Sequence, residues 1–266
     1  MQTWQRVNGA VLNVREQSAG GDGSAALVFL HYFGGSSLAW QPVAAILQSH
    51  HRCVMPDLRG FGDSAVPTTP MTLDQVATDI IELLHTMGIG RHVLVGHSMG
   101  AKIALAVAAR KPAGLRALVL LAPSPPSPEP MADSARAQLL QRHTDPAAAE
   151  QATRLLVGAR VSREVFDQIV HDRVRCSAAA WRWWLASASR EDIGSRVMSV
   201  DLPTLVLSGA LDDVIPGALV ESEVSRRLLH ATTLHLPGCG HLLPLEAPDV
   251  VARHIRDWSA AAAATG

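Results

Sequence analysis

The sequence predicts an α/β fold with a mostly parallel central sheet, helices on both faces, and a helical cap inserted between two βα units. Two observations predict this fold. Short apolar runs typical of buried strands alternate with helical patterns along most of the chain, which favours a parallel sheet covered on both faces. From Pro123 to about Asp201 the patterns are all helical, and an insertion above the sheet explains this break most simply.

The strands and helices of the core follow in order along the chain. Strand-like residues 3–7 and 10–15 flank Asn8-Gly9, a favoured two-residue hairpin turn. Capping-box spacing between Thr72 and Gln75 predicts the start of a helix that Gly88 ends. The other core elements are predicted by apolar runs, with buried strands at residues 26–30, 53–55, 92–95, 117–121, 204–207 and 233–236, and helices at residues 101–110 and from residue 248.

The all-helical stretch defines the predicted domain organisation. We expect a core formed by residues 1–123 and 201–266 and a helical cap formed by residues 124–200. Its ten arginines and nine acidic residues are expected to form solvated helix faces. Four helices are predicted within the cap, at residues 131–143, 146–157, 163–174 and 178–189.

Composition excludes several classes of protein. Nearly half of the 266 residues (48%) are apolar and 18% are charged, so a large core is available and a disordered chain is excluded. The net charge of −1, without a run of like charges, lacks the basic excess of a nucleic-acid binder. The apolar runs are far shorter than the roughly 20 residues of a membrane span. The composition leaves the oligomeric state open.

The cysteines and the beginning of the chain predict a cytoplasmic location. Three cysteines, an odd number, lie far apart, so they predict neither a disulfide framework nor a zinc site. The first ten residues have neither the basic nor the apolar region of a signal peptide. Metal-ligand spacings and His-Glu-x-x-His are absent from the sequence, and we expect neither a metal nor a cofactor.

One strand-to-helix turn carries the clearest chemical signal. Gly96-His97-Ser98-Met99-Gly100 fits Gly-x-Ser-x-Gly and stands between an apolar strand and a helix-forming run. A serine on such a sharp turn has a strained backbone, and the residues two before and two after it must be small. Gly96 and Gly100 meet that need. The helix N-terminus also directs free N–H groups toward the reacting oxygen, so we predict that Ser98 is a nucleophile.

A hydroxyl nucleophile needs a base, and the base needs an orienting acid. Among the twelve histidines, His241 is best placed, because it follows the last strand in a loop with two glycines. The acid should follow another strand, between the serine and the histidine in sequence. Residues 208–216 offer two aspartates; we favour Asp212, and Asp213 stays open. The order Ser, Asp, His is that of α/β-hydrolases.

Five stretches together match one known family. They are His31-Tyr32-Phe33-Gly34-Gly35, residues 56–64, the serine turn, residues 209–216 and residues 238–241. On these stretches the chain resembles α/β-hydrolase-fold enzymes over nearly its whole length, in the esterase-like branch with a helical cap. The resemblance implies that the backbone N–H groups of Phe33 and Met99 form an oxyanion hole. Tyr32 stands where relatives usually have glycine, and it is also a predicted substrate-binding residue.

The predicted cap contains three of the six tryptophans, Trp181, Trp183 and Trp184. On a helix Trp181 and Trp184 share a face, and Trp183 points elsewhere. Packing and a role in lining an apolar substrate pocket both stay open for the pair. Lys102, one turn into the helix after Ser98, is expected to be a solvated or sheet-edge charge.

The sequence therefore predicts a cofactor-free serine hydrolase that acts on a small ester or lactone through an acyl-enzyme. A first alternative is the same triad cleaving a carbon–carbon bond, as in meta-cleavage product hydrolases. That substrate's carboxylate needs a cationic partner, which an arginine of the cap could supply. A second alternative is a receptor with the same fold that binds its ligand and turns it over slowly.

Overall fold

An eight-stranded sheet forms the centre of the computed structural model, which describes residues 1–19, 25–158 and 161–264. The strand order is β1-β2-β4-β3-β5-β6-β7-β8. The first two strands and β4 pair antiparallel, and all other neighbours pair parallel, which confirms a mostly parallel sheet. The strands are β1 Gln2–Val7, β2 Ala10–Gln17, β3 Ala26–Leu30, β4 Cys53–Pro56, β5 His92–His97, β6 Leu115–Leu121, β7 Thr204–Gly209 and β8 Ala231–Leu236.

The predicted hairpin at the beginning of the chain is confirmed. Asn8 and Gly9 both have positive φ, 43° and 72°, as a type I′ turn requires. The second strand of the hairpin, β2, also pairs antiparallel with β4, and this pairing places Val14 beside Pro56. The hairpin therefore extends the sheet rather than standing apart from it.

Helices cover both faces of the sheet. They are α1 Gln41–Leu47, α2 Leu73–Thr86, α3 Met99–Ala108, α4 Asp133–Gln141, α5 Pro146–Leu156, α6 Arg163–Arg175, α7 Ala178–Ala186, α8 Gly194–Val197, α9 Gly217–Glu223, α10 Leu243–Glu246 and α11 Pro248–Ala264. Alternate residues of β3 separate the two core layers. Val28 and Leu30 pack with α2 and α3, whereas Leu27 and Phe29 pack with α1 and α11. Each such buried side chain contributes about 1.5–3 kcal/mol of apolar burial.

The local signals at α2 are confirmed. The Thr72 hydroxyl accepts from the Gln75 N–H, the Gln75 side chain accepts from the Thr72 N–H, and Gly88 follows the helix at φ 61°. This reciprocal bonding satisfies backbone donors that the first helical turn leaves without partners. The position of α2 is therefore determined by capping as well as by its apolar face.

Between β6 and β7 the described residues, 122–158 and 161–203, form only helices and turns, as predicted. We call this segment the helical insertion, and it contains α4 to α8. The side chains of Asp145, Ser162 and Ser177 cap the N-termini of α5, α6 and α7, which explains why three of the four predicted starts lie within a residue of the observed ones.

Several predictions are corrected by the structure. Strand β8 is an edge strand with alternately exposed residues, not a buried one, because only β7 pairs with it. In α11, Val251 and Ile255 are buried, but Val250 and Trp258 are only half-buried. Helices α1 and α9 were absent from the prediction because Pro42 and Gly217 lie at their starts, in segments that resemble loops. Within the described ranges, no helix is both long and apolar enough to cross a membrane.

The expectations for charged residues are partly wrong. Lys102 is fully buried, and its Nζ donates to the carbonyl oxygens of Ser127 and Glu191, at 3.2 and 2.6 Å. Arg136 and Arg173 of the helical insertion are also buried, although solvated faces were predicted there. For Lys102 and Arg136 the physical reason is that chain turns and helix ends leave carbonyl groups without partners, which long cationic side chains reach: Arg136 donates to the oxygen of Leu185 at 2.9 Å. Arg173 instead lies against the ring of Trp181.

Candidate active site

The turn between β5 and α3 holds Ser98 in a strained conformation. Ser98 has φ 52° and ψ −113°, a region that non-glycine residues rarely adopt. A Cβ on Gly96 would lie 2.5 Å from the Gly100 oxygen, and one on Gly100 would lie 2.2 Å from the Leu30 oxygen. Both flanking positions therefore require glycine, as the sequence pattern indicates.

Three side chains from separate strand ends form a continuous hydrogen-bonded chain. His241 Nε2 lies 3.0 Å from Ser98 Oγ, and His241 Nδ1 lies 2.8 Å from Asp212 Oδ2. All three residues are at least 94% buried. Asp213, the alternative acid, is exposed to solvent. The structure thus brings Asp212, rather than Asp213, against the histidine.

The hydrogen bonds of Asp212 favour its charged form. Burial alone would raise the pKa of this carboxyl group, but the contact with His241 and the N–H groups of Ile215 and Val214 lower the pKa below its usual value. Both N–H groups donate to Asp212 Oδ1 at 2.9 Å. An ionised acceptor at His241 Nδ1 keeps the proton there and leaves Nε2 free to accept the serine proton.

The loop that carries His241 is held by groups that the sequence analysis did not identify. The Glu246 carboxylate accepts from the N–H groups of Gly240 and Leu242, at 2.9 and 2.8 Å. The N–H of His241 itself donates to the oxygen of Leu156, at the end of α5, at 2.9 Å. The only sequence signal for Glu246 was a carboxylate one helical turn after Leu242. The backbone contact with Leu156 has no sequence signal.

The helical insertion and the His241 loop share a further contact. The N–H of Gly158 donates to Glu246 Oε2 at 2.9 Å, the same oxygen that accepts from Gly240. A Cβ on Gly158 would lie 2.5 Å from the Gly240 nitrogen, and one on Gly240 would lie 2.3 Å from the Gly158 nitrogen. The two backbones are therefore in direct contact, and glycine is needed on both sides.

The loop after β3 lies beside the serine turn. The register of β3 and β5 pairs Leu30 with Gly96, so the residues after Leu30 begin next to Ser98. His31 braces this loop, as predicted: its Nδ1 donates to the Tyr32 oxygen at 2.8 Å, and its Nε2 accepts from the Leu58 N–H at 3.0 Å. Burial lowers the pKa of His31, which is consistent with a neutral ring that uses one nitrogen as donor and the other as acceptor.

The two predicted oxyanion donors are next to this junction. Met99 is the first residue of α3, so its N–H has no partner within the helix. Within the described ranges, the N–H of Phe33 forms no hydrogen bond. Two free N–H groups on neighbouring loops are the arrangement that can stabilise a developing oxyanion.

The three predicted substrate-binding residues are all buried. The Tyr32 ring lies 5.2 Å from the ring of His97, and burial raises the pKa of its hydroxyl. Trp181 and Trp184 lie 4.4 and 6.1 Å from the ring of Phe33. Trp181 also lines a cavity of about 510 Å³ in the helical insertion.

The cysteines and acidic residues give no sign of a metal. Within the part of the chain that the structure describes, no three His, Cys, Asp or Glu side chains come together as a metal site. Cys53, Cys176 and Cys239 are all buried as free thiols. Burial raises the pKa of Cys239, which favours the unreactive thiol form.

The site combines a serine on a strand-to-helix turn with an aspartate and a histidine that follow later strands of a mostly parallel sheet. This arrangement is typical of α/β-hydrolases. Residues 27–254 match the alpha/beta hydrolase family. The chain belongs to this family, and it is a hydrolase of the α/β fold.

Named relatives are similar over most of the chain. A 3-oxoadipate enol-lactonase of Acinetobacter baylyi is 27% identical over 226 residues, or 84% of each chain. A 2-(acetamidomethylene)succinate hydrolase of Mesorhizobium japonicum is 25% identical and covers 93% of this chain and 91% of its own. The structure of an esterase from Thermogutta terrifontis has a TM-score of 0.82 at 25% identity, covering 98% of this chain and 99% of its own.

Proposed function

We propose that the protein is a serine hydrolase that cleaves carboxylic esters or lactones through an acyl-enzyme, with no metal or cofactor. The observation that carries the proposal is the hydrogen-bonded chain from Ser98 through His241 to Asp212, at 3.0 and 2.8 Å. In this reading Ser98 is the nucleophile, His241 is the general base and acid, and Asp212 orients the histidine. Similarity to an enol-lactonase and an esterase supports the choice of substrate class.

The proposed reaction has two halves. In the first, His241 Nε2 takes the proton of Ser98 while Oγ attacks the carbonyl carbon, and His241 then gives that proton to the departing alcohol. In the second, a water molecule loses its proton to His241 and attacks the acyl-enzyme. The same proton returns to Ser98 Oγ as the acid is released. In a lactone the leaving alcohol stays attached to the acyl group.

Two features lower the proposed barriers. The N–H groups of Phe33 and Met99 are proposed to donate to the oxyanion, and each such donor contributes about 2.7–4 kcal/mol in known cases. Asp212 stabilises the imidazolium that forms at His241. Ser98, Asp212 and His241 are almost completely buried. The interactions with the oxyanion and the imidazolium are therefore screened less than they would be in water.

We propose that residues 124–200 act as a cap over this site, with residues 1–123 and 201–266 as the core. The contact of Trp181 with Phe33 and that of Leu156 with His241 support this role. A cap excludes water and shapes the pocket. On this reading Tyr32 and Trp181 contact substrate and Trp184 supports them. A cytoplasmic location stays a prediction.

The nucleophile assignment is tested with Ser98→Ala. We expect the variant to lose hydrolysis of 4-nitrophenyl butyrate while its melting temperature stays close to that of the wild type. A fluorophosphonate should label Ser98, as identified by peptide mass. Ser222→Ala, on the exposed face of α9, is the control and should keep full activity.

Three outcomes would contradict the proposal in different ways. Labelling at another residue, or near-normal activity of Ser98→Ala, would exclude Ser98 as nucleophile. Faster cleavage of a ring-fission dioxo acid than of any ester would favour carbon–carbon hydrolysis. Tight ligand binding with negligible turnover would favour the receptor alternative.

A further inference from the structure

The helical insertion contains a largely buried arginine whose guanidinium has no charged partner among the described residues. Arg173, on α6, is 8% exposed, and within residues 1–19, 25–158 and 161–264 its guanidinium forms neither a hydrogen bond nor an ion pair. Its charged group instead lies over the ring of Trp181, 4.9 Å from the ring centre. Burial lowers the pKa of Arg173, as expected for a charge removed from water.

Neighbouring carboxylates do not compensate this charge, because they are already engaged. Asp172 accepts from Ser36 Oγ at 2.5 Å and from Gln168 Nε2 at 2.9 Å. Asp63 pairs with Arg15 and Arg175. The guanidinium has five N–H donors and reaches the open space of a cavity. An anionic ligand in that cavity could supply acceptors for these donors.

Arg173 faces the cavity of about 510 Å³ between α4 and α5. Apolar residues, among them Leu139, Leu155 and Trp181, form much of its wall. Arg142 also lines the cavity, but its guanidinium pairs with Asp145. His143 also lines it, with its ring stacked on Trp181 at 4.7 Å and its buried Nε2 unbonded to any described residue. The cavity therefore combines apolar walls with a guanidinium and an imidazole nitrogen that lack partners.

Two residues that line the cavity, Arg173 and Trp181, are also neighbours of the proposed oxyanion loop. A Cβ on Gly34 would lie 3.6 Å from Arg173 Nη1 and 3.4 Å from the Trp181 ring. Gly34 directly follows Phe33, and consecutive Cα atoms are about 3.8 Å apart. The Phe33 ring itself is 4.4 Å from that of Trp181. The guanidinium is thus within the length of a short carbon chain from the N–H proposed to hold the oxyanion.

We propose that Arg173 binds a carboxylate at the far end of the acyl chain, so that the substrates are monoesters or lactones of short dicarboxylic acids. This inference rests on the proposed function. The planar guanidinium can donate two parallel hydrogen bonds to a carboxylate, and the methylene chain contacts Trp181.

The kinetic test compares two esters that differ only at the far carboxylate: mono-4-nitrophenyl glutarate and its methyl ester. We expect the wild type to have a kcat/KM about 10–100-fold higher for the free acid, the range for losing a hydrogen-bonded charge. Arg173→Met keeps most of the side-chain volume and should abolish that preference. Arg163→Met removes a charge from the exposed end of the same helix, where Arg163 pairs with Asp167, and should leave the preference unchanged.

Binding gives a second readout that does not need turnover. Titration calorimetry should show glutarate binding to Ser98→Ala and, at least 10-fold more weakly, to the double variant with Arg173→Met. Arg173→Lys keeps the positive charge but loses the planar guanidinium that can donate two parallel hydrogen bonds. We expect its affinity for glutarate to lie between those of the proteins with arginine and with methionine. If Arg173→Met does not fold, the comparison of glutarate binding between the Arg173→Lys variant and the protein with Arg173 still tests the inference.

Two results would overturn the inference. They are equal kcat/KM values for the acid and its methyl ester in the wild type, or glutarate binding that the Arg173 variants leave unchanged. A failure of the proposed function gives a different pattern: neither ester is hydrolysed through Ser98, whether or not glutarate binds.

Discussion

The serine turn, Gly96 to Gly100, and the histidine loop, residues 238–242, contribute to one hydrogen-bonded site but are held in different ways. The serine turn is fixed by its own backbone and by the adjacent β3, against which Gly100 leaves no room for a Cβ. The histidine loop is fixed by groups from elsewhere: the Leu156 oxygen, the Glu246 carboxylate, and His97 Nε2, which donates to the His241 oxygen at 2.7 Å.

The difference teaches which changes affect folding and which affect chemistry. Changes in the serine turn force backbone atoms apart and should lower stability. Changes around the histidine loop leave the sheet intact but let the imidazole move, and a displacement of about 1 Å can reduce the rate about 10²-fold. Because Leu156 and Gly158 belong to the helical insertion, the insertion also positions the proposed base.

The largest effect is expected from Asp212, the acid proposed to orient His241. Asp212→Asn puts an amide beside Nδ1 and favours the wrong tautomer, which in the known triad case lowers kcat about 10⁴-fold. Steady-state hydrolysis of 4-nitrophenyl butyrate measures it. Asp213→Asn, at the exposed neighbour, should stay within a few-fold of the wild type. The reverse order would mean that Asp213 acts as the acid.

A stability effect is expected in the serine turn. Gly100→Ala places a methyl group 2.2 Å from the Leu30 oxygen, and such overpacking lowers the free energy of unfolding by about 3 kcal/mol. For a chain of this size that is a decrease of about 10 °C in melting temperature. Gly90→Ala, where a Cβ meets nothing within 4 Å, is the control. Equal melting temperatures would show that the turn is not rigid.

The smallest effect is expected at the support of the histidine loop. Glu246→Gln weakens the hydrogen bonds from Gly240, Leu242 and Gly158 by removing their charged acceptor. We expect kcat to fall about 10–100-fold because the base is less well held, while KM stays nearly constant. Glu221→Gln, at a half-buried carboxylate of α9 that lies 4.0 Å from Arg226, is the matched control. If kcat is unchanged and the melting temperature is lower, Glu246 stabilises the fold but does not help to position His241.

The sequence predicts the parts of this molecule whose signals are local. The alternation of buried strands, the capping box at Thr72 and the glycines beside Ser98 each act within a few residues, and the structure agrees with them. The preference for Asp212 had no comparable signal, and Asp213 stayed open; the two backbone N–H groups that donate to Asp212 appear only in the structure.

The parts that the sequence does not predict depend on contacts between distant segments. Lys102 looks like a surface charge until Ser127 and Glu191 present carbonyl oxygens to it. Strand β8 has an apolar pattern, but its place at the sheet edge follows from the strand order. Arg173 looks like part of a solvated helix face, and its burial depends on Trp181 and on Gly34, which belong to distant segments.

The burial of Lys102 has a practical consequence for attaching the protein to dyes or solid supports. The sequence contains only two lysines, Lys102 and Lys111, and the first is sealed from solvent. Lys111 is exposed beyond the C-terminal end of α3, about 15 Å along the helix from Ser98. Amine-directed coupling to a lysine side chain therefore takes place at Lys111, beyond the end of α3 that is opposite to Ser98.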